Sequence, residues 1–189
     1  EKPLIFKTNV ERASNGMSSF VAGFGVTILD AVEASCAACP IFCKKVLNTS
    51  NKESIRAIDG GFIANNPTLF ALIDAKHQLG LKDEEIKLLS IGVGNYNEKS
   101  ISFLHKIFSF FEMGKLFGKI LVASSNTTEV ETKLLFPHIP MVRINDSFNK
   151  PEHGTNMLET KPEKLRTMFQ LGIYSYAEKE PDIKKLLDF

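Results

Sequence analysis

The stretch SIRAIDGGFIANNPTLFALIDAKHQLG, residues 54–80, carries the strongest fold signal in the chain. Its first five residues are rich in apolar side chains and precede the turn signal Asp59-Gly60-Gly61, which predicts a strand that delivers Asp59 to a loop. Asn66-Pro67 predicts a helix start, because asparagine caps free backbone N–H groups and proline at the first helical position needs none. Gly80 ends that helix after about residue 79.

The flanking sequence extends this pattern in both directions. Residues 28–38 are rich in alanine and aliphatic side chains and predict a helix that Pro40 breaks. Residues 87–91 predict a buried parallel strand, so strand, helix and strand form an α/β unit. The rest of the chain predicts, in order, two helices within 102–136, a short extended piece at 141–144, a polar loop at 145–155 and a closing helix from about Pro162.

Composition limits the class of protein. With 189 residues, 43% apolar and 24% charged, the chain has the balance of one globular domain with a core of its own. Its formal net charge of +1 gives no general attraction to nucleic acid or anionic lipid. No apolar run reaches the roughly 20 residues of a membrane span. Cys36, Cys39 and Cys43 are an odd number within eight positions, which fits reduced thiols better than a disulfide framework.

Four stretches occur in the order of a known family. They are Pro3-Leu4-Ile5-Phe6-Lys7-Thr8, Ala34-Ser35-Cys36-Ala37-Ala38-Cys39-Pro40-Ile41-Phe42, Asp59 to Pro67, and Leu89-Ser90-Ile91-Gly92-Val93-Gly94. Together they resemble the conserved blocks of patatin-like phospholipases. An isolated Asp-Gly-Gly is weak evidence, since such turns are common. Four ordered matches between residue 3 and about residue 97 are specific.

The resemblance implies an α/β chain with the patatin-like three-layer fold, in which a central, mostly parallel sheet is flanked by helices. Residues 1–189 are then the C-terminal portion of a single domain whose N-terminal half is missing. Within it, residues 1–100 would carry the sheet and the catalytic aspartate, and residues 101–189 the closing helices.

The resemblance also implies a Ser/Asp catalytic dyad, in which Asp59 takes the proton of a serine nucleophile. Gly60 and Gly61 would support its loop by adopting positive φ and by allowing close backbone approach, together with Asn65 and Asn66. The chain contains no Gly-x-Ser-x-Gly and no glycine-rich oxyanion loop. The nearest candidate, residues 16–20, lacks the second glycine. Both missing parts are expected upstream, so residues 1–189 alone are predicted to be inactive.

Other residues that could carry chemistry have simpler explanations. The three cysteines lack a fourth ligand at zinc spacing, which favours packing over redox or metal chemistry. His77, His105, His138 and His153 stand in no catalytic motif and are expected to be surface or structural residues. A lone Gly92-Val93-Gly94 favours a structural turn over phosphate binding. The phenylalanines of residues 103–117 fit a core better than a lipid-facing surface with Lys106, Lys115 and Lys119 at headgroups.

The predicted activity is therefore a serine lipid acyl hydrolase of phospholipase A type, acting on membrane phospholipids without cofactor or metal. Its partners would be the phospholipid substrate and the N-terminal half of the same protein, with no nucleic acid. The prediction places it in the cytoplasm and leaves peripheral membrane contact and homo-oligomerisation open. Two alternatives remain: a non-catalytic patatin-like scaffold or ligand-binding module, and an effector activated by a nucleotide second messenger, for which these residues identify no site.

Overall fold

The computed structural model describes residues 3–7, 25–39, 41–49, 52–96, 109–155 and 159–188. Their helices and strands follow in the order α1 (Ile28–Ser35), β1 (Lys45–Asn48), β2 (Ser54–Ala57), α2 (Gly61–Ala64), α3 (Thr68–His77), β3 (Leu88–Ile91), β4 (Asn95–Tyr96), α4 (Ser109–Leu135), β5 (Met141–Ile144), β6 (Ser147–Phe148) and α5 (Pro162–Leu187). The α/β class is confirmed. The chain divides into two compact units, the first formed by Glu1–Asp83 with Gly118–Phe136 and the second by Glu84–Phe117 with Pro137–Phe189.

The core of the first unit lies between α1 and an antiparallel pair of strands. β1 and β2 pair with Lys45 opposite Ala57 and Leu47 opposite Ile55. Leu47, Ala57 and Ala34 of α1 are buried together, and Leu4, Phe6 and Val26 pack against them. Strand β1 was not among the predicted elements. Because it alternates exposed and buried positions over only four residues, its sequence signal is weak.

Helix α1 begins at the predicted position and ends three residues early. Thr27 is its N-cap: its hydroxyl accepts a hydrogen bond from the Asp30 backbone N–H at 3.1 Å and donates one to the Asp30 carboxylate at 2.8 Å. The last helical residue is Ser35, and Cys36 caps the helix outside α-helical geometry. Residues 36–39 therefore form a turn rather than a final helical turn.

The Asn66-Pro67 helix start is confirmed with a shift of one residue. Pro67 is the N-cap rather than the first residue of α3, and the Asn66 side chain accepts a hydrogen bond from the Thr68 backbone N–H at 3.2 Å. The extra helical turn α2 lies before it and was not predicted. Helix α3 ends at His77, and Gly80 adopts a φ of +67°, which glycine tolerates without steric cost.

The second unit contains the predicted parallel strand. β3 pairs in parallel with β5, with Leu88 opposite Met141, so the extended piece at 141–144 is a strand. The polar loop contains β6, which pairs in parallel with β4. Gly94 adopts a φ of +80° and donates its N–H to the Asn145 side chain at 3.2 Å. The Gly92–Gly94 segment is thus bound within the fold, as expected of a structural turn.

Two features differ from the prediction. A single helix, α4, covers Ser109–Leu135. Of the four residues that suggested a separate earlier helix, Phe110 and Phe111 lie within α4, and Phe103 and Ile107 lie outside the described ranges. The described strands form three two-stranded sheets, of which β1–β2 is antiparallel, so the single central sheet of the patatin-like fold remains a prediction. The predicted closing helix is confirmed from Pro162. In the described part of the chain, no helix has the length and apolar character needed to cross a bilayer.

Candidate active site

Asp59 lies two residues beyond the end of β2, where the chain turns into α2. Its backbone N–H donates a hydrogen bond to the carbonyl of Ala37 at 3.0 Å. Ala37 and its neighbour Ala38 are buried, with 3% and 9% of their surface exposed. Small side chains are needed there because larger ones would occupy the space through which the two backbones approach each other. The turn after α1 thus positions the aspartate.

The Asp59 carboxylate is held by its own loop. Its Oδ1 atom accepts a hydrogen bond from the Gly61 backbone N–H at 2.6 Å, the short turn that aspartate commonly makes with a residue two positions later. The side chain is half-buried. Its second oxygen, Oδ2, has no hydrogen-bond partner among the residues that the structure describes. One oxygen therefore fixes the orientation of the group, and the other can accept a proton.

The two glycines after Asp59 serve only one of the two roles predicted for them. Gly60 has a φ of −64° and a ψ of −21°, and Gly61 is also outside the positive-φ region, so the expectation of positive φ is wrong. They instead begin a right-handed helical turn. The close approach is present at Gly61, where a Cβ atom would stand 3.0 Å from Asp59 Oδ1. A Cβ atom at Gly60 would meet no described atom within 4 Å.

The two asparagines tie this loop to α4. Asn66 is buried, with 3% of its surface exposed, and its Nδ2 donates to the Ser125 carbonyl at 3.2 Å. Its Oδ1 accepts from both the N–H and the hydroxyl of Thr68. Asn65 donates its Nδ2 to the Leu121 carbonyl at 3.3 Å from an exposed position. Asn66 is therefore the stronger of the two anchors, because its polar atoms are shielded from water.

Asp59 lines a cavity of about 600 Å³ in the first unit. Residues 3–6, β2, α2 and α3 supply most of the wall, which is largely aliphatic and aromatic. Three kinds of polar side chain interrupt it: the Asp59 carboxylate, the Ser35 hydroxyl, and the cations of Lys44 and Arg56. No histidine belongs to the lining formed by the described residues. A largely apolar cavity with a few polar groups is typical of a small-molecule site.

One group of ion pairs, centred on Lys45, lies beside the cavity. Lys45 contacts Asp30 at 2.9 Å and also pairs with Glu33, both on α1. The hydrogen bond from Lys45, followed by that from Thr27, holds the pKa of Asp30 below its ordinary value of 3.8. These two carboxylates are therefore occupied by Lys45 rather than by the neighbouring cations of the cavity.

The structure does not favour the other candidate groups. Cys36 and Cys43 are exposed and Cys39 is half-buried, so packing does not explain the two exposed thiols, because α1 ends before them. Across the ranges that the structure describes, no three His, Cys, Asp or Glu residues are arranged to hold a metal ion. Both His77 and His138 are exposed.

The remaining predictions concern residues that lie partly outside the described ranges. His153 is half-buried and packs edge-on against Phe148 at 5.6 Å between ring centroids, whereas His105 lies outside the described residues. Within 103–117 the only phenylalanine with a described side chain is Phe117, which is 37% exposed, and the positions of Lys106 and Lys115 are not described. Lys119 is exposed on α4. The phenylalanines of residues 103–117 can therefore still be interpreted either as core residues or as a lipid-facing surface.

Comparison with known proteins adds one close relative. No model of a known protein family matches the chain. Over 187 residues, the chain is 39% identical to a protein of Escherichia coli named cUMP-AMP-activated phospholipase. The match covers 99% of this chain and 58% of the relative, so the chain spans somewhat more than half the length of that protein.

Proposed function

We propose that this chain is part of a patatin-like phospholipase that cleaves the carboxylic esters of membrane phospholipids. The observation that carries the proposal is the position of Asp59 in the wall of a largely apolar cavity. Its Oδ1 accepts the Gly61 hydrogen bond, and its Oδ2 has no hydrogen-bond partner among the described residues. The chain is also 39% identical, over nearly its whole length, to a protein named as a phospholipase. The proposal includes the patatin-like three-layer fold and a cytoplasmic protein that meets the membrane peripherally.

In the proposed mechanism, Asp59 is the general base of a Ser/Asp dyad. Its Oδ2 atom takes the proton of the serine hydroxyl as the serine oxygen attacks the ester carbonyl carbon. The ester C–O bond then breaks, the acyl group stays on the serine, and the lysophospholipid leaves with the proton from Asp59. In the second half of the reaction, Asp59 takes a proton from water as the water oxygen attacks the acyl carbon. The bond between the acyl carbon and the serine oxygen then breaks, the serine regains the proton from Asp59, and the fatty acid is released. Gly60, Gly61, Asn65 and Asn66 support the loop that holds the base.

We propose that the nucleophile comes from a part of the protein beyond these 189 residues. Ser35 is the serine that lines the cavity among the described residues, yet it is the last residue of a helix. A nucleophile of this kind needs a sharp strand-to-helix turn, usually with a glycine on either side. Mass spectrometry of full-length protein labelled with a fluorophosphonate tests this assignment. A labelled serine outside residues 1–189 supports it, and labelled Ser35 contradicts it.

A nucleotide activator is part of the proposal. The relative is named for activation by cUMP-AMP, and we extend that control to the protein containing this chain. Hydrolysis should then be low until the cyclic dinucleotide is added. Equal rates with and without cUMP-AMP would remove this part of the proposal and leave the phospholipase activity itself untouched.

Substitution of Asp59 by asparagine is the decisive test of the activity. Asparagine keeps an Oδ1 atom for the Gly61 hydrogen bond, so the turn is preserved while the base is removed. In full-length protein with cUMP-AMP present, fatty acid release from phospholipid vesicles should fall about 100- to 10,000-fold, the usual contribution of a general base.

A matched control is Asp83→Asn. Asp83 pairs with Lys76 on the same unit and does not line the cavity. Its ion pair is partly exposed, so its loss should cost at most about 1 kcal/mol of stability. Activity at the wild-type rate is expected from this variant. Equal activity of wild-type and Asp59→Asn would remove Asp59 from the mechanism.

A further inference from the structure

Two cations in the cavity wall have no counter-ion among the residues that the structure describes. Lys44 and Arg56 are both exposed and both line the cavity that contains Asp59. Within the described residues, neither makes an ion pair or a side-chain hydrogen bond. Lys45, next in sequence, differs because it is neutralised by Asp30 and Glu33. The cavity wall therefore carries two positive charges that no described residue neutralises, and these charges can bind an anion.

The strand register brings these two cations together. Arg56 lies opposite Val46 in the antiparallel pair, and Lys44 is two residues before Val46. Diagonal positions of this kind are about 7–8 Å apart across an antiparallel pair, within reach of two long side chains. A phosphate group presents several oxygens and is the anion that arginine and lysine commonly bind in proteins.

The rest of the lining indicates what the phosphate is attached to. Leu4, Ile58, Ile63 and Phe70 offer aliphatic and aromatic surface, which suits an acyl chain. A cyclic dinucleotide also contains phosphates, but its bases need hydrogen-bond partners that this wall supplies only sparsely. A glycerophospholipid combines a phosphate and an acyl chain on either side of its ester, and Asp59 lies in the same wall.

We infer that Lys44 and Arg56 form a subsite for the phosphate of the lipid substrate and make the enzyme prefer anionic glycerophospholipids to zwitterionic ones. This inference rests on the proposed function, because it assigns the substrate of the same cavity. A zwitterionic headgroup brings a positive charge close to the two cations, whereas phosphatidylglycerol does not.

The test is the Lys44→Gln/Arg56→Gln double variant of the full-length protein. Its KM for phosphatidylglycerol in mixed micelles should rise roughly tenfold or more, because two positive charges that attract the anionic lipid are removed. Its preference for phosphatidylglycerol over phosphatidylcholine should disappear, and the wild-type preference should weaken as salt is added. Hydrolysis of a p-nitrophenyl ester, which has no phosphate, should change much less than the KM for phosphatidylglycerol.

The matched control is Arg166→Gln/Lys185→Gln. Both residues are exposed on α5, and neither lines the cavity, so the net charge falls by the same amount while the subsite remains. This control should keep the wild-type KM and lipid preference. An equal loss of activity on both substrates by a Lys44/Arg56 variant that unfolds in urea at the wild-type midpoint would overturn the inference, as would an unchanged KM.

A binding assay separates this inference from the proposed function. Asp59→Asn protein, which consumes no substrate, should sediment with phosphatidylglycerol vesicles, and adding Lys44→Gln/Arg56→Gln should release it. If wild-type protein releases no fatty acid, the proposed function fails while sedimentation still decides the subsite. If the double variant changes only the cUMP-AMP concentration needed for half-maximal activation, the cations bind the nucleotide phosphate and the lipid assignment is wrong.

Discussion

In the proposed mechanism, Asp59 combines a structural and a chemical role in one carboxylate. Oδ1 closes the turn with the Gly61 N–H, and Oδ2 is without a hydrogen-bond partner among the described residues. The two roles can be separated by substitution because asparagine preserves the first and alanine removes both.

At this position we predict different effects on stability and on activity. Asp59→Asn should unfold in urea at nearly the wild-type midpoint, and Asp59→Ala should lose about 0.5–1.5 kcal/mol with the turn hydrogen bond. Both should be inactive. A loss of stability as large in Asp59→Asn as in Asp59→Ala would show that asparagine does not preserve the turn.

The adjacent glycines provide a second comparison. Gly61→Ala places a Cβ atom 3.0 Å from Asp59 Oδ1, so the carboxylate must shift, and such misplacement costs up to about 100-fold in rate. Gly60→Ala meets no described atom within 4 Å and keeps a right-handed φ, so it should be as stable as wild-type or gain about 0.4–1 kcal/mol. The measurements are fatty acid release and urea unfolding. A more damaging Gly60→Ala would contradict this geometry.

The sequence predicted that Asp59 follows a strand and that glycine after it allows a close approach. It misjudged the backbone conformation of Gly60 and Gly61. A glycine pair after aspartate suggests positive φ, yet the chain turns directly into α2 with right-handed geometry. The loop is also held by a hydrogen bond from the Asp59 N–H to Ala37, which lies 22 positions earlier, and local propensity does not reveal such a contact.

Among the elements, α1 is tied to β1 by charge. Because Lys45 lowers the pKa of Asp30, the folded state gains stability that is present above the ordinary carboxyl pKa of 3.8 and is lost as the pH falls through the lower, folded value. Lys45→Gln should therefore be less stable than wild-type at pH 7, and the difference should vanish in stronger acid.

Urea unfolding over this pH range measures the difference, and Lys44→Gln is the control. Lys44 makes no ion pair within the described residues, so its loss should leave stability unchanged at every pH. A Lys45→Gln deficit that persisted at the same size below pH 3.8 would show that packing, not charge, is responsible.

Asn66 links α3 and α4 through buried hydrogen bonds. Asn66→Ala leaves the Ser125 carbonyl and the Thr68 N–H without this partner, which should cost about 1–3 kcal/mol. Asn65→Ala removes an exposed hydrogen bond and should cost less than Asn66→Ala. Chemical denaturation of both variants gives the comparison. Equal losses would mean that burial does not distinguish the two anchors.

Two helices and one apolar strand were the most predictable elements. α3, β3 and α5 follow from capping residues, apolar runs and proline positions. The two helices predicted within 102–136 are not separated between Ser109 and Leu135, where the chain forms one continuous helix. The strands β1, β4 and β6 depend on tertiary pairing of two to four residues, which leaves little pattern in the sequence, whereas β2 was predicted.

For the whole molecule, the resemblance to patatin-like phospholipases and the similarity to an E. coli protein named as a phospholipase both extend over the Asp59 region, and both support the proposed activity. The structure places Asp59, Gly61 and the two asparagines on one loop beside a cavity. The cations of that cavity could not be found from sequence, because Lys44 and Arg56 stand in no motif and meet only through strand pairing.

The most direct test of the central claim is the initial rate of fatty acid release from phospholipid vesicles by full-length protein with cUMP-AMP, compared between wild-type and Asp59→Asn. Removing the base while keeping the turn should lower that rate at least about 100-fold with no change in folding. Undiminished release by correctly folded Asp59→Asn would contradict the account.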